Sequence, residues 1–223
     1  MREPRAAVKA RSRADALRKF AAVARPRPRP RTRGRATGYE PDIESLRGQL
    51  LIAGATLPDP NFARTVVLIC EHTEDGALGL VLNRPGDLLV ADVAPELAEL
   101  TGEDAVVGSG GPVQPEALLV LGEFEDPSYA GMPVIGNVGL MGDGREISEL
   151  VDVTRRARAF AGYAGWGAGQ LDAELARDDW FVAPAGVDDI FDTDAEVLWR
   201  RVLERKGGHF ALVARMPVDP SVN

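Results

Sequence analysis

The chain has 223 residues, 45% of them hydrophobic and 27% charged, which suits one folded domain or two small ones. Its single cysteine, Cys70, excludes an intramolecular disulfide, and no apolar run approaches the roughly eighteen residues of a membrane span. The net charge of −8 conceals two unlike parts: residues 1–38 hold 13 Lys and Arg against two acids, while the remainder holds 13 basic and 32 acidic residues, a net of −19.

The first part contains little that could build a core. Arginine occupies every second position from Arg25 to Arg35, with Pro26, Pro28 and Pro30 between. Proline lacks a backbone donor and pushes its predecessor towards extended geometry, so the composition predicts an extended, disordered tail over residues 1–44. A short helix over Arg11–Val23 would be marginal alone. Several readings stand for this segment. It is a solvated extension or an upstream start assignment, or it is an arm binding nucleic acid or anionic membrane non-specifically through arginine. It also shares the Arg-rich, acid-poor bias of transit peptides but is short of serine, and it could dock on its own acidic domain. No apolar stretch follows the basic start, as a signal peptide requires, so the expected setting is cytoplasmic.

From residue 45 the pattern changes. Gln49–Ala53 reads as a strand, and Leu57-Pro58-Asp59-Pro60 as a rigid loop. Thr65–Cys70 (TVVLIC) and Ala77–Asn83 (ALGLVLN), joined by turn residues Thr73, Asp75 and Gly76, predict a β-hairpin that Pro85 stops. Val93–Leu100 is expected to be a short helix with Pro95 near its start. Strands follow at Ala105–Gly111, Ala117–Leu121 and, irregularly, Val134–Leu140, with Gly122–Pro133 as a surface loop. Glu146–Val153 reads as a weak helix, Arg158–Trp166 as a strand, Gln170–Arg177 as a helix and Trp180–Val182 as a strand. The last helix is the clearest: Thr193 and Glu196 form a capping box, Ala195, Leu198, Trp199 and Val202 share a face, and Gly207 and Gly208 end it. His209–Ala214 is expected to be a final edge strand. Strands outnumber helices and short turns join several. The expected fold is therefore α/β of the α+β kind: one domain over residues 45–215 with a mixed, largely antiparallel sheet, packed helices, and a short tail at 216–223.

Five segments together resemble the AlgH/YqgE family of bacterial proteins, which has plant relatives. They are GQLLIA (Gly48–Ala53), Phe62-Ala63-Arg64 before TVVLIC, GALGLVLNRP (Gly76–Pro85), GGPV (Gly110–Val113) and GYAGWGAGQLDAEL (Gly162–Leu175). They occur in the family's order; the chain departs from the pattern in its tail and around Gly144–Thr154. The resemblance implies a compact domain with a branched sheet and an association with transcriptional control that lacks a recognised DNA-binding motif.

Candidate chemistry is sparse. Cys70 and His72 are two apart on one strand and so are expected to share a face, where histidine can activate a thiol; the competing reading is a core cysteine beside a half-exposed histidine. With only His72 and His209 present, no metal site is expected, and no cofactor. Gly108–Gly111 is followed by Pro112 and no Lys-Ser/Thr pair, so it is not a phosphate loop. Tyr163, Trp166, Trp180 and Trp199 read as core or as pocket lining. Arg64 and Arg84 flank the hairpin and suit a carboxylate or phosphate. A ligand or partner cleft is therefore expected from Arg64, Asn83, Arg84, Gly110, Gly111, Pro112, Tyr163, Trp166 and Gln170. The functional expectation is a non-enzymatic regulatory or interaction protein meeting a protein partner or a small ligand. The alternative is a small-molecule-binding protein or thiol enzyme. The acidic domain disfavours nucleic acid, which only the tail could bind.

Overall fold

The structure, a computed structural model, describes residues 45–54, 57, 59, 61–192 and 194–216. The basic tail, Ala55, Thr56, Pro58, Pro60, Thr193 of the expected capping box and residues 217–223 lie outside the described residues.

Among the described residues ten strands form one sheet: β1 Gln49–Ala53, β2 Val66–Thr73, β3 Gly76–Val81, β4 Pro85–Leu89, β5 Val106–Ser109, β6 Val113–Phe124, β7 Met132–Ile135, β8 Val138–Leu140, β9 Thr154–Gly167 and β10 Trp180–Pro184. The main path runs β10-β1-β2-β3-β9-β6-β8-β7. All pairings are antiparallel except β5 on β9, so the sheet is mixed and largely antiparallel, as expected.

The branch lies on β9. Residues Ala164–Gly167 pair with β3, Phe160 and Ala161 pair with β5, and Thr154–Tyr163 pair with β6. Gly110 joins the arms: its N–H donates to the Ala161 carbonyl at 2.9 Å and its carbonyl accepts from Val81 at 2.9 Å. Side chains cannot fit there. A Cβ on Gly110 would sit 2.2 Å from the Gly162 carbonyl oxygen, and one on Gly111 would sit 2.3 Å from the Tyr163 backbone.

The helices among these residues are short apart from one: α1 Val90–Val93, α2 Ala98–Thr101, α3 Ile147–Val151, α4 Gln170–Leu175, α5 Val187–Phe191, α6 Ala195–Lys206 and α7 Phe210–Val213. They cover both faces of the sheet's first half. One core cluster joins Leu50, Ile52, Leu68 and Leu80 to Leu198, Trp199 and Val202 of α6. A second joins Leu51, Val67, Ile69 and Val81 to Trp166, Leu171 and Trp180. Burial on two faces is why β1 and β2 read as unbroken apolar runs rather than alternations. A third cluster, with Val90, Leu97, Val107, Val120, Phe124 and Leu150, packs α1, α2 and α3 on the branch.

Four local expectations are corrected. Pro85 is not what stops the second hairpin strand, which ends at Val81; it opens β4, paired with Gly108, where the first strand position tolerates its missing N–H. Val93–Leu100 is broken at Ala94 into α1, a 3₁₀ turn Pro95–Leu97 and α2. Gly122–Pro133 is only partly loop, since β6 runs on to Phe124 and β7 begins at Met132. His209–Ala214 is not a strand: Gly207 and Gly208, at φ 72° and 57°, turn the chain back so that α7 packs along α6, with Phe210 edge-on to Phe181 at 4.9 Å.

Candidate functional site

Arg64, Asn83 and Arg84 converge. Arg64 closes the turn before β2 in a left-handed conformation, φ 55°. Asn83, buried just past β3, holds that turn: its Oδ1 accepts the Val66 N–H at 2.8 Å and its Nδ2 donates to the Arg64 carbonyl at 2.9 Å. Thr65 Oγ1 donates to the Phe62 carbonyl at 2.9 Å, fixing the other side. Arg84 donates to the carbonyls of Ala63 and, at 3.4 Å, Asn83; burial pushes its guanidinium below the ordinary arginine value. The Arg64 guanidinium lies 4.8 Å over the Trp199 ring and donates to the Met216 carbonyl.

These groups form one wall of an open cleft of about 1060 Å³. Opposite stand α6 and the segment after α7, which supply Trp199, Arg200, Glu204, Arg215 and Met216. Arg200 and Arg215 are exposed, and sequence reasoning missed both. They lie far along the chain from the hairpin, and no spacing announces them. One signal was available: basic residues are scarce after residue 38, only 13 in all. Four of them line this cleft, with Glu204 the lone carboxylate among the described residues of its lining.

The remaining expected residues lie elsewhere. Gly110, Gly111 and Pro112 belong to the branch, where Tyr163 pairs with Val113. Trp166 and Gln170 sit by the second core cluster around Glu174. The Nε1 groups of Trp166 and Trp180 both donate to Glu174 Oε2 at 2.8 Å, and Gln170 Nε2 donates to Oε1 at 2.9 Å. Phe62 completes that aromatic group, 5.5 Å from Trp180 and 6.3 Å from Trp166. Every polar atom named there has an internal partner, so the arrangement reads as structural.

Cys70 and His72 do not share a face. The β2–β3 register shifts between Ile69 and Glu71, a bulge that cancels the alternation. Cys70 consequently packs into the first core cluster, whereas the partner of His72, Ala77, packs against the second. The thiol is wholly buried; burial, then the charge of Glu71, push it above the ordinary cysteine range. His72 is 7% exposed rather than half-exposed, and its Nδ1 accepts the Leu46 N–H at 3.2 Å. Among the described residues, no group of three or more His, Cys, Asp or Glu could hold a metal ion. No helix among them is long and apolar enough to cross a membrane.

Comparison with known proteins agrees with this architecture. A model of the AlgH-like family (DUF179) matches residues 50–211. A UPF0301 protein of Thermobifida fusca is 43% identical over 193 residues, covering 80% of this chain and 96% of its own length. A UPF0301 protein of Streptomyces coelicolor is 41% identical over 188 residues, covering 82% and 97%. Among solved structures, a Corynebacterium diphtheriae protein superposes with a TM-score of 0.70 at 28% identity, over 75% of this chain and 91% of that one. The AlgH protein of Pseudomonas aeruginosa superposes at 0.58 and 31% identity, over 81% and 98%. The model match and the identities set the assignment beyond shared architecture: the chain belongs to the AlgH-like, UPF0301 family.

Proposed function

We propose that this protein is a non-enzymatic regulatory or interaction protein whose domain, residues 45–215, recognises a small carboxylate- or phosphate-bearing ligand in the Arg64/Arg84 cleft. One observation carries the reading: four arginines around a single opening in a part of the chain with net charge −19. Guanidinium groups donate in a fork that matches carboxylate and phosphate. The surrounding negative field disfavours a long polyanion such as DNA, while a compact anion need only enter the local positive island. Binding would bridge the hairpin end to α6 and the segment after α7, and that bridging is the regulatory output. Any nucleic-acid affinity would reside, non-specifically, in residues 1–38. A thiol mechanism has little support, because the only thiol is buried and its neighbouring histidine is on the other face.

Thermal unfolding with inorganic phosphate, citrate and a nucleotide at low ionic strength tests this. A ligand at about one hundred times its Kd adds about 2.7 kcal/mol of stability. At least one of these anions should raise the melting temperature of the wild-type protein and leave the Arg200→Glu/Arg215→Glu variant unmoved. Both substituted side chains are exposed, so the variant should fold. Equal shifts in the two proteins, or none in either, would defeat the reading.

A further inference from the structure

A second opening lies on the other side of the branch. It is a cavity of about 460 Å³ between the α1–α2 segment and α3, above the face of β6. Ala94, Leu97, Val107, Val120 and Met141, all buried members of the third core cluster, form its floor. The volume is within the range of small-molecule sites, roughly 300–1,000 Å³. Leu88 and Val93, 62% and 43% exposed, continue the apolar lining out to solvent. The neighbouring Leu89 and Val106 are also exposed, at 38% and 42%. Leu89 and Val106 pair with each other across β4 and β5 and do not line the opening, so its exposed apolar edge is Leu88 and Val93.

The rim has a definite charge. Glu96, Glu116, Asp143 and Glu146 surround the mouth and are exposed. The one cation among the described residues of this lining, Arg145, is held against Tyr129, with its guanidinium 4.9 Å over the ring and donating to the Ser128 carbonyl at 3.4 Å. An apolar pocket under an acid-dominated rim selects a ligand with an apolar body and a positive end. A fatty-acid carboxylate would meet the same pocket with the wrong sign.

We infer that this cavity is a binding site for a small cationic amphiphile, an alkyl or aryl body of modest length carrying an amine or quaternary ammonium head. The site is separate from the arginine cleft, opposite in charge and different in lining, so the two can be tested independently.

Calorimetric titration with three probes of equal chain length decides the matter: octyltrimethylammonium, octanol and octanoate, below any micellar concentration. Saturable binding is expected in the order cation, neutral, anion, with the cation at least about tenfold tighter than octanoate as expected of opposed charge at a shared rim. Leu97→Trp fills the cavity and should abolish binding of the cation. The Glu96→Lys/Glu146→Lys variant, altered only at exposed positions, should fold and invert the head-group order. Three results would overturn the assignment: no saturable binding by the wild type, binding unaffected in a folded Leu97→Trp protein, or an order unchanged by rim reversal. Should Leu97→Trp not fold, the head-group order in the rim variant is decisive by itself.

Discussion

Arg205 grips the buried carboxylate of Asp189 with both terminal nitrogens, Nη1 to Oδ1 at 2.9 Å and Nη2 to Oδ2 at 2.7 Å. The pair fastens α6 to the start of α5, where Asp189 Oδ2 also accepts the Gly186 N–H at 3.0 Å. Burial by itself would raise the Asp189 carboxyl; the hydrogen bonds from Arg205 and Gly186 and the charges of Arg205 and Arg201 outweigh it and hold it below the ordinary carboxylate value.

A folded-state value below the unfolded one makes this stabilisation fully present above the unfolded carboxylate pKa of about 3.9, and it is lost as pH falls through the folded value. Arg205→Ala should therefore cost about 1–3 kcal/mol near neutral pH, tempered by the half-exposure of the arginine. The gap between variant and wild type should narrow in acid, as Asp189 protonates in both. Urea melts at a series of pH values measure it, and a gap constant down to strong acid would contradict the assignment.

Glu174 is expected to be the most sensitive half-buried residue for stability. Its Oε2 accepts two indole N–H groups at once, and its loss would leave both without this acceptor. Glu174→Ala should cost about 2–3 kcal/mol, as for loss of hydrogen bonds to a charged group, and shift tryptophan emission to the red. An unchanged emission maximum would show that the two rings do not depend on this carboxylate.

The branch should tolerate no side chain. Gly110→Ala and Gly111→Ala each place a methyl within 2.4 Å of the β9 backbone. A loss of about 3 kcal/mol or more, or failure to fold, is expected from such overpacking. Gly144→Ala, with nothing within 4 Å of the new atom, should change stability by less than about 0.5 kcal/mol. Comparing soluble yield and melting temperature across the three separates crowding from a general cost of losing glycine.

Cys70 should react with thiol reagents only through opening of the fold. Its alkylation rate should track unfolding across a denaturant series and remain slow at pH values where a free thiol is ionised. Fast labelling of the native protein near neutral pH would instead mean an accessible thiolate, and would revive catalysis at this position.

How much of this was legible depended on how local each signal was. The β2–β3 hairpin was readable because two apolar runs flank a polar turn, and α6 because Leu198, Trp199 and Val202 repeat at helical spacing. The bulge at Cys70 was not, because an extra residue in a uniformly apolar strand leaves no break in the pattern. The first four residues of β9, Thr154–Ala157, fell outside the expected strand because Arg155 and Arg156 look like a solvated stretch, and Arg158, which opened that strand, carries the same charge. Arg158 is in fact bound inward, donating to the Leu82 and Ile190 carbonyls at 2.8 and 2.7 Å, and burial pushes it down to about 10. The cleft was half legible. Arg64, Asn83 and Arg84 stand where strands end, but Arg200 and Arg215 join them only through tertiary packing.

Strand β9 contacts three different strands along its fourteen residues and touches material from every core cluster. Such a shared keel leaves no half of the molecule able to melt while the other persists. Its central amides, from Ala159 to Ala164, should exchange with solvent only in the globally unfolded state, and both openings should vanish in the same transition. A ligand seated at either mouth would accordingly steady the opposite one through common folding free energy, with no movement needed in between.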